Sequence, residues 1–423
     1  MNTLGVKTMI ACLVLSTFAA TAAGAEAPPR WPHMPYVCTE LKPEHKAENR
    51  MFVCSFGITV APNGRLWATW DSGGYGEGWD NVVMLATSGD GGRTWSEPVM
   101  VIDPPFRASY AGLWMDPDGR MWFTFTIWPI RAAHENRVTM QERFDDIRSY
   151  KAFIGENQCR GSQLWAITTD TPGDPAPDWH SPRLIATDYG HMNKPIALSD
   201  GTWVWPTGTL TREEGGGRLP FRSLYSTDNG KTFHFRGHVP MPEGRNCDEN
   251  MVVERRDGSL WLLSRMDYGI GESVSHDQGR TWTPMTPSEI QHTVARFYIG
   301  RLQSGKLLLV KHGEIEADHG RKRLMAFLSD DDGKTWSGGL MIDERNGVSY
   351  PDATQGNDGT IYVIYDHERH HAKEILMAAF AEEDVAAGKP VSGTARFRQV
   401  IDKALAFNPR HPGRFDGPAR KHD

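Results

Sequence analysis

The pattern Ser-x-Asp-x-Gly-x-x-aromatic occurs four times in this chain, and such a repeated turn restricts the fold more than any other feature of the sequence. A serine hydroxyl and an aspartate carboxylate can accept hydrogen bonds from nearby backbone N–H groups, and glycine can adopt the positive φ of a tight turn. We therefore expect four similar turns, each with its aromatic ring against a neighbouring sheet. The copies begin at Ser88, Ser226, Ser275 and Ser329.

A second, weaker repeat places a turn glycine just before an apolar, aromatic-rich strand pattern. Short strands at regular spacing, with one sheet per repeat, are typical of a β-propeller, so six strand starts predict six sheets. The second unit has only a degenerate turn near Thr168 and Asp170, and the sixth has none. The predicted fold is an all-β, six-bladed β-propeller. The six segments begin at Gly64, Gly119, Gly201, Gly258, Gly305 and Gly359.

Composition supports one β-rich domain rather than the two or three domains that the length would suggest. The 423 residues are 39% hydrophobic and include 15 Trp and 43 Gly, which fits a turn-rich protein with a large core. The formal net charge of -7 argues against a nucleic-acid partner. No cofactor or metal is implied by the motifs, since the cysteines and histidines lack zinc spacing.

The N-terminus resembles a secretory signal. Lys7 precedes a short apolar run, and the small residues Ala23-Gly24-Ala25 follow it, which predicts cleavage before Glu26. The mature protein is then secreted or periplasmic and has no membrane span. The predicted divisions are a signal peptide at 1–25, a lead-in at 26–48, the propeller at 49–380 and a partly mobile C-terminal extension at 381–423.

Two further features concern the body of the chain. Residues from about 130 to 160 leave the repeat pattern and become charged, which predicts a helical insertion in the second blade. Four cysteines remain after the predicted cleavage. The sequence leaves two alternatives open. The cysteines could form up to two disulfides, for which three connectivities exist, or they could remain four free thiols. These cysteines are Cys38, Cys54, Cys159 and Cys247.

The four turns are similar to the Asp-boxes of the sialidase superfamily, which comprises six-bladed propellers of secreted glycan-processing enzymes. The similarity covers roughly Asn49 to Phe380. Asp-boxes are specific for the fold but not for function, because they also occur in non-enzymatic propellers. Function has to be inferred from the site.

The resemblance implies a tyrosine nucleophile, because a substrate carboxylate beside the anomeric carbon would repel an anionic attacker. The segment Ser349-Tyr350-Pro351-Asp352 resembles the family's nucleophile segment, so Tyr350 is the candidate. Glu249 is the implied general base, and Arg265 on the following strand is one arginine of a carboxylate clamp. A phenol with a pKa of about 10 needs such a base at neutral pH.

Further residues follow from the same resemblance. Asp80, in Trp79-Asp80-Asn81, is the implied acid/base, and Arg321 is a second clamp arginine, with Arg323 as the alternative register. His191 and Lys194 are candidates for a different reason. They lie before the strand of the third unit, where pocket-lining residues are expected, and they could be sugar contacts or a general base, or else belong to a structural loop. The slot of the family's first clamp arginine holds Cys54, and Arg50 is the arginine nearest to it in sequence.

Together these residues predict a secreted exo-glycoside hydrolase that releases a terminal acidic sugar, sialic acid being one candidate, with retention of configuration. A polysaccharide lyase acting on uronic acids is an alternative, with Tyr350 or His191 as the proton-transfer group. A glycan-binding propeller without turnover is another. The histidines after the sixth unit are expected to form a solvated polar turn rather than a metal site: His367, His370 and His371.

Overall fold

The computed structural model describes residues 37–78, 80–104, 107–128, 162–208, 219–240, 244–246 and 249–411. The predicted signal peptide, almost all of the predicted insertion, Cys159 and Cys247 lie outside these residues. Within them, no helix is long and apolar enough to cross a membrane.

The described residues form six antiparallel sheets, each built from consecutive strands of the chain, as the repeats predicted. The first sheet contains β1 (Val37–Cys38), β2 (Phe52–Val60), β3 (Leu66–Gly73), β4 (Val82–Ser88) and β5 (Met100–Ile102). The second contains β6 (Arg107–Met115), β7 (Met121–Trp128), β8 (Gln163–Thr169) and β9 (Arg183–Thr187). The third contains β10 (Ile196–Ala197), β11 (Trp203–Pro206), β12 (Phe221–Ser226) and β13 (His234–Val239).

The remaining three sheets repeat the four-stranded pattern. The fourth contains β14 (Met251–Glu254), β15 (Leu260–Met266), β16 (Gly269–Ser275) and β17 (Thr286–Pro287). The fifth contains β18 (Tyr298–Arg301), β19 (Leu307–His312), β20 (Lys322–Ser329) and β21 (Ser337–Asn346). The sixth contains β22 (Val348–Gln355), β23 (Ile361–His367), β24 (Glu374–Phe380) and β25 (Arg396–Lys403). The helical segments among the described residues are short: two 3-10 turns (Pro43–His45, Ala47–Asn49) and one α-helix, α1 (Glu382–Ala387).

The four repeated turns have the predicted hydrogen bonds. In the first, the N–H of Gly92 donates to Ser88 Oγ at 3.0 Å, and Thr94 donates through its N–H to Asp90 Oδ1 at 3.0 Å. The same serine-to-glycine bond measures 2.8 to 2.9 Å in the other three copies. The aromatic residue also packs as expected, since Phe233 of the third sheet lies edge-on to Trp122 of the second at 6.0 Å.

The six glycines of the weaker repeat each precede the second strand of a sheet, where the chain turns back from the first strand. Their φ values, from 80 to 88°, are all in the left-handed region. This conformation costs glycine little and other residues about 1 kcal/mol or more, so the glycines fix the start of each second strand. Apolar clusters fill the spaces between neighbouring sheets.

The sixth sheet extends beyond residue 380, where the sequence analysis ended the propeller. Its fourth strand, β25, pairs with β24 and follows α1. The sequence of β25 (RFRQVIDK) mixes charged and apolar residues and carries neither repeated motif, so the repeat pattern does not predict it. The chain then returns to the first sheet, because the N–H groups of Leu405 and Ala406 donate to the carbonyls of Ala47 and Arg50.

Side chains join the sixth sheet to the first and close the ring. The guanidinium of Arg50 binds both oxygens of Asp402, at 2.6 and 2.8 Å. Near the axis, the N–H of Ile58 donates to Asp352 Oδ2 at 2.9 Å. No sheet contains strands from both ends of the described chain, so the joint depends on contacts of this kind.

Candidate active site

Tyr350, Glu249 and Arg265 form one hydrogen-bonded group, although they are far apart in sequence. The hydroxyl of Tyr350 donates to Glu249 Oε1 at 2.5 Å. Arg265 Nη1 lies 3.0 Å from the same oxygen and 3.2 Å from the tyrosine hydroxyl. The exposed fractions are 5% for Tyr350, 0% for Glu249 and 8% for Arg265, so the group is desolvated while one of its members still reaches the surface. The other oxygen of Glu249 is buried without a hydrogen-bond partner.

A backbone irregularity aims Tyr350 at this group. Tyr350 has φ of 54°, and the register of β22 with β23 shifts between Ser349 and Asp352. Such bulges redirect a side chain, and the left-handed conformation of a tyrosine costs about 1–3 kcal/mol, which the surroundings must offset. The hydroxyl of Ser55 in β2 donates to the Tyr350 carbonyl at 2.7 Å and holds the bulge in place.

Two more guanidinium groups lie against the ring of Tyr350. The guanidinium carbon of Arg369 is 3.9 Å from the ring centroid, and that of Arg321 is 5.6 Å from it. Both distances are within the range of cation–π attraction. Arg321 was predicted from the sequence, whereas Arg369 was not. The alternative, Arg323, binds Glu314 instead.

The turn after β23 positions Arg369. Arg369 Nε donates to Asp366 Oδ2 at 3.0 Å, and its Nη1 lies 3.5 Å from Glu77 Oε1 in the loop after β3. Burial lowers the pKa of Arg369, but Asp366, Cys54 and Tyr350 outweigh it and hold that pKa well above its usual value. Arg369 is therefore charged at any pH at which the protein functions.

The loop after β3 forms one side of the site. Arg107 Nη2 lies 3.1 Å from Glu77 Oε2. Burial opposes ionisation of Glu77, but the charges of Arg107 and Arg369 keep its pKa below the usual value. Asp80 lies in the same loop, and its carboxylate passes so close to Gly74 that a methyl group there would fall 1.8 Å from Oδ2. Its role as acid/base stays a prediction.

Asp71 is a second carboxyl group near the site that the sequence analysis did not single out. It is buried in β3, directly opposite Cys54 of β2, and accepts a hydrogen bond from Ser109. Burial raises the pKa of Asp71 well above its usual value, although the Ser109 hydroxyl acts in the other direction. Its carboxyl group is thus more readily protonated than that of an ordinary aspartate.

Lys194 is held at the axis of the propeller rather than beside Tyr350. Its ammonium group donates to the carbonyls of Ile58 and Ala353 and lies 2.7 Å from Asp352 Oδ2. These contacts match the three donors of an ammonium group. Lys194 therefore joins the third sheet to the first and sixth, and its role as a sugar contact stays a prediction.

His191 is buried beside Lys194 in sequence and packs edge-on against Trp205, with ring centroids 5.1 Å apart. Its Nδ1 lies 3.1 Å from the carbonyl of Asn193, whereas its Nε2 is buried without a hydrogen-bond partner. Burial lowers the pKa of His191 to about 4, so the imidazole is neutral at pH 7. No hydrogen bond among the described residues links it to Tyr350, and its substrate role stays a prediction.

The cysteine and arginine of the first clamp slot have other surroundings. Cys54 is a buried free thiol whose pKa is raised well above its usual value by burial, with Arg369 acting in the other direction. Arg50, the nearest arginine in sequence, is committed to Asp402 and does not reach Tyr350. Arg50 therefore does not supply the missing charge.

Histidines near the site are engaged with protein groups. His367 Nδ1 lies 3.0 Å from Glu374 Oε2, and His370 stacks on His411 with ring centroids 4.0 Å apart. In the part of the chain that the structure describes, the one group with metal-ligand spacing is Glu44, His45 and Asp103, on the outside of the first sheet. Lys42 already neutralises Asp103 there at 2.7 Å.

Sequence reasoning missed Arg369 for a physical reason. The resemblance assigns clamp arginines to fixed positions in the repeat, and Arg369 comes from a hairpin turn outside those positions. The turn was noted only for its histidines. A signal was present, because Asp366 and Arg369 are spaced for an i,i+3 ion pair across a turn, but that spacing is common at protein surfaces.

Comparison with known proteins agrees with this architecture. A family model described as a BNR repeat-like domain matches residues 64–363. A sialidase from Micromonospora viridifaciens is 26% identical over 333 residues, which are 73% of this chain and 49% of that protein. A sialidase from Clostridium perfringens is 27% identical over 211 residues, 48% of this chain and 53% of that protein. The chain thus spans about half the length of the curated relatives it matches.

Solved structures also resemble the described propeller. The Hadza microbial sialidase Hz136 matches with a TM-score of 0.59 and 20% identity, over 79% of this chain and 66% of that one. At this level of identity the likeness shows the fold, a six-bladed propeller, and leaves function to the geometry of the site.

Proposed function

Since this chain belongs to the sialidase superfamily of BNR-repeat propellers, we propose that it is a retaining exo-glycoside hydrolase whose nucleophile is Tyr350. The observation that carries the proposal is the 2.5 Å hydrogen bond from the Tyr350 hydroxyl to the buried carboxylate of Glu249. A nucleophile and a base within hydrogen-bond distance, with a third group that orients the base, is the arrangement that activated nucleophiles require. Arg265 is that third group.

The reaction proceeds in two displacements. In the first, Tyr350 Oη attacks the anomeric carbon, its proton passes to Glu249 Oε1, and the departing oxygen takes a proton from Asp80. In the second, Asp80 removes a proton from water, which attacks the anomeric carbon while the tyrosine oxygen leaves and recovers its proton from Glu249. Two inversions at one carbon give overall retention of configuration.

The substrate class follows from the charges around Tyr350. Three guanidinium groups lie within reach of its ring or hydroxyl, and a neutral nucleophile suits a sugar whose own carboxylate would repel an anionic one. We therefore propose a terminal acidic sugar, with sialic acid as the first candidate. The resemblance of the N-terminus to a secretory signal supports a proposal that this activity lies outside the cytoplasm.

The test is product release from sialosides, uronate-terminated oligosaccharides and neutral glycosides by the wild-type protein and by Tyr350→Phe. Proton NMR during turnover should show the product anomer that corresponds to retention. Tyr350→Phe should lower kcat at least about 10³-fold, since residues of one catalytic group lose most of the rate singly.

Three outcomes would contradict the proposal. An inverted first product would exclude the covalent tyrosine route. An unsaturated product that absorbs in the ultraviolet would indicate a lyase instead. Saturable glycan binding that survives Tyr350→Phe, with no product at any protein concentration, would indicate a binding propeller.

A further inference from the structure

The turn that carries Arg369 is docked onto the strand residues on both sides of Cys54. The N–H of Val53 donates to the carbonyl of Arg369 at 3.3 Å. The N–H of Ser55 donates to Asp366 Oδ2 at 3.1 Å, and that same oxygen accepts from Arg369 Nε at 3.0 Å. These two bonds lie on either side of Cys54 in β2. The guanidinium of Arg369 therefore enters the site next to position 54, but it comes from the sixth sheet, whereas Cys54 belongs to the first.

Cys54 leaves room for this arrangement. A cysteine side chain ends at Sγ, whereas an arginine at the same position would carry a second guanidinium into the space around Arg369. Cys54 is 1% exposed and lies opposite the buried Asp71, so the strand offers a longer side chain no way outward to solvent. An arginine at position 54 would therefore bring its charge into the buried surroundings that Arg369 already occupies.

The three guanidinium groups at Tyr350 are not fully balanced by carboxylates. Arg265 has Glu249 at 3.0 Å, and Arg369 has Asp366 at 3.0 Å. Among the described residues, Arg321 has no carboxylate within ion-pair distance. Burial, and then the charges of Arg369 and Arg265, lower the pKa of Arg321, which is the mark of crowded cations. A carboxylate on the ligand would relieve this crowding.

We propose that Arg369 is a substrate-binding residue that takes the place of the arginine absent at position 54, so that Arg265, Arg321 and Arg369 together bind the carboxylate of the sugar. The inference rests on the proposed function for the identity of the site and adds the source of its third cation. Asp366 and Glu77 position Arg369 through its Nε and Nη1 atoms.

Binding of a matched pair of probes tests the proposal without turnover. The probes are 2,3-dehydro-2-deoxy-N-acetylneuraminic acid and its methyl ester, titrated by calorimetry into the full chain. Wild type should prefer the acid. Arg369→Ala should weaken binding of the acid at least about 30-fold, which corresponds to about 2 kcal/mol of binding free energy. It should weaken binding of the ester by no more than about threefold. The control Arg301→Ala removes an ion-paired arginine elsewhere on the fifth sheet and should change the affinity for neither probe.

A second pair of variants separates loss of the cation from loss of folding. Arg369→Lys keeps a charge for Asp366 and should weaken the acid by about tenfold, because an ammonium group cannot bind both oxygens of a carboxylate at once. In Arg369→Ala, the added substitution Cys54→Arg should recover at least about tenfold of the lost affinity. In the wild-type background Cys54→Arg should weaken binding of the acid, because the guanidinium groups of positions 54 and 369 would then lie too close together.

Several results would overturn the proposal. Equal losses for acid and ester in Arg369→Ala would mean that Arg369 acts on the fold of the pocket and not on the carboxylate. If Cys54→Arg restores no affinity for the acid to Arg369→Ala, and the double variant has the wild-type Tm, then an arginine at position 369 does not take the place of one at position 54. If the wild-type protein releases a neutral sugar and binds neither probe, that result would support the proposed hydrolase and reject this carboxylate-binding site.

Discussion

At the scale of single residues, the proposed reaction depends on the proton in the hydrogen bond between Tyr350 and Glu249. Their 2.5 Å contact is short for a neutral hydroxyl and suits an ionised acceptor. Arg265 contacts both members, and in the proposed reaction it would stabilise the carboxylate before the attack and the tyrosine oxygen while its proton leaves.

Glu249→Gln should therefore lower kcat by about 10²- to 10⁴-fold with little change in KM, because an amide keeps the shape but cannot take the phenol proton. Steady-state kinetics on the substrate that wild type releases will measure this. Glu254→Gln, in the adjoining strand β14 and bonded to Ser199, is the matched control and should leave kcat unchanged. A kcat within threefold of wild type for Glu249→Gln would remove Glu249 from the role of base.

The resemblance to the sialidase superfamily predicted that Tyr350, Glu249 and Arg265 share one site, and the structure brings these three side chains together. Glu249 lies just before β14, Arg265 lies in β15 and Tyr350 lies in the bulge of β22. Arg369 could not be predicted in this way. Its position depends on how a hairpin turn packs against a different sheet, and that packing is a long-range contact which no local pattern records.

At the scale of secondary-structure elements, the repeated turns attach each sheet to its neighbour. Gly333 shows how tightly: with φ of 89°, a Cβ there would lie 2.4 Å from Cζ3 of Trp261 in the fourth sheet. Gly359 has a similar φ of 83° but nothing within 4 Å of a Cβ. Alanine substitutions at the two glycines therefore distinguish the cost of backbone strain from the cost of packing against Trp261.

Gly333→Ala should lower the free energy of unfolding by about 3 kcal/mol, from left-handed strain of about 1 kcal/mol plus overpacking against Trp261. Gly359→Ala, which has the strain alone, should cost about 1 kcal/mol. Urea unfolding followed by tryptophan fluorescence will compare them. Equal losses would show that the turn tolerates a methyl group and that the ring of Trp261 moves aside.

The elements themselves were predictable to different degrees. The turn and glycine repeats correctly predicted six sheets, since each motif requires a specific backbone conformation. The strand β25 escaped prediction because it has no such motif, and tertiary pairing with β24 defines it. The predicted division at residue 380 therefore lies one strand short of the end of the sixth sheet.

At the scale of the whole molecule, buried titratable groups make stability depend on pH. Burial lowers the pKa of His191 to about 4 and that of His312 to about 3. These imidazoles stay neutral in the folded protein at pH 5, whereas in the unfolded chain, with pKa of about 6.5, they bind protons. Buried Asp71 and Asp366 have raised pKa values and act in the opposite direction.

Folding stability should therefore fall as pH is lowered from about 6.5 to 4, because the unfolded state binds more protons in that range. The two imidazoles together contribute at most about 2.7 kcal/mol per pH unit, and the opposing aspartates make the expected slope smaller than this. Urea unfolding at pH 7, 6 and 5 will measure it, and His312→Gln should reduce the slope. A stability that rises as pH is lowered through this range would mean that the buried aspartates dominate.

The joint between the sixth and first sheets has a consequence for ligand binding. In the described part of the chain no strand is shared across this joint, and residues of the proposed site lie on both sides of it and beyond: Tyr350 and Arg369 on the sixth sheet, Glu77 after β3, and Arg265 on the fourth. A ligand that binds only the closed ring stabilises it by about 2.7 kcal/mol at one hundred times its Kd. Substrate would thus act as a reversible cross-link, and the protein would resist opening and proteolysis most strongly while its pocket is filled.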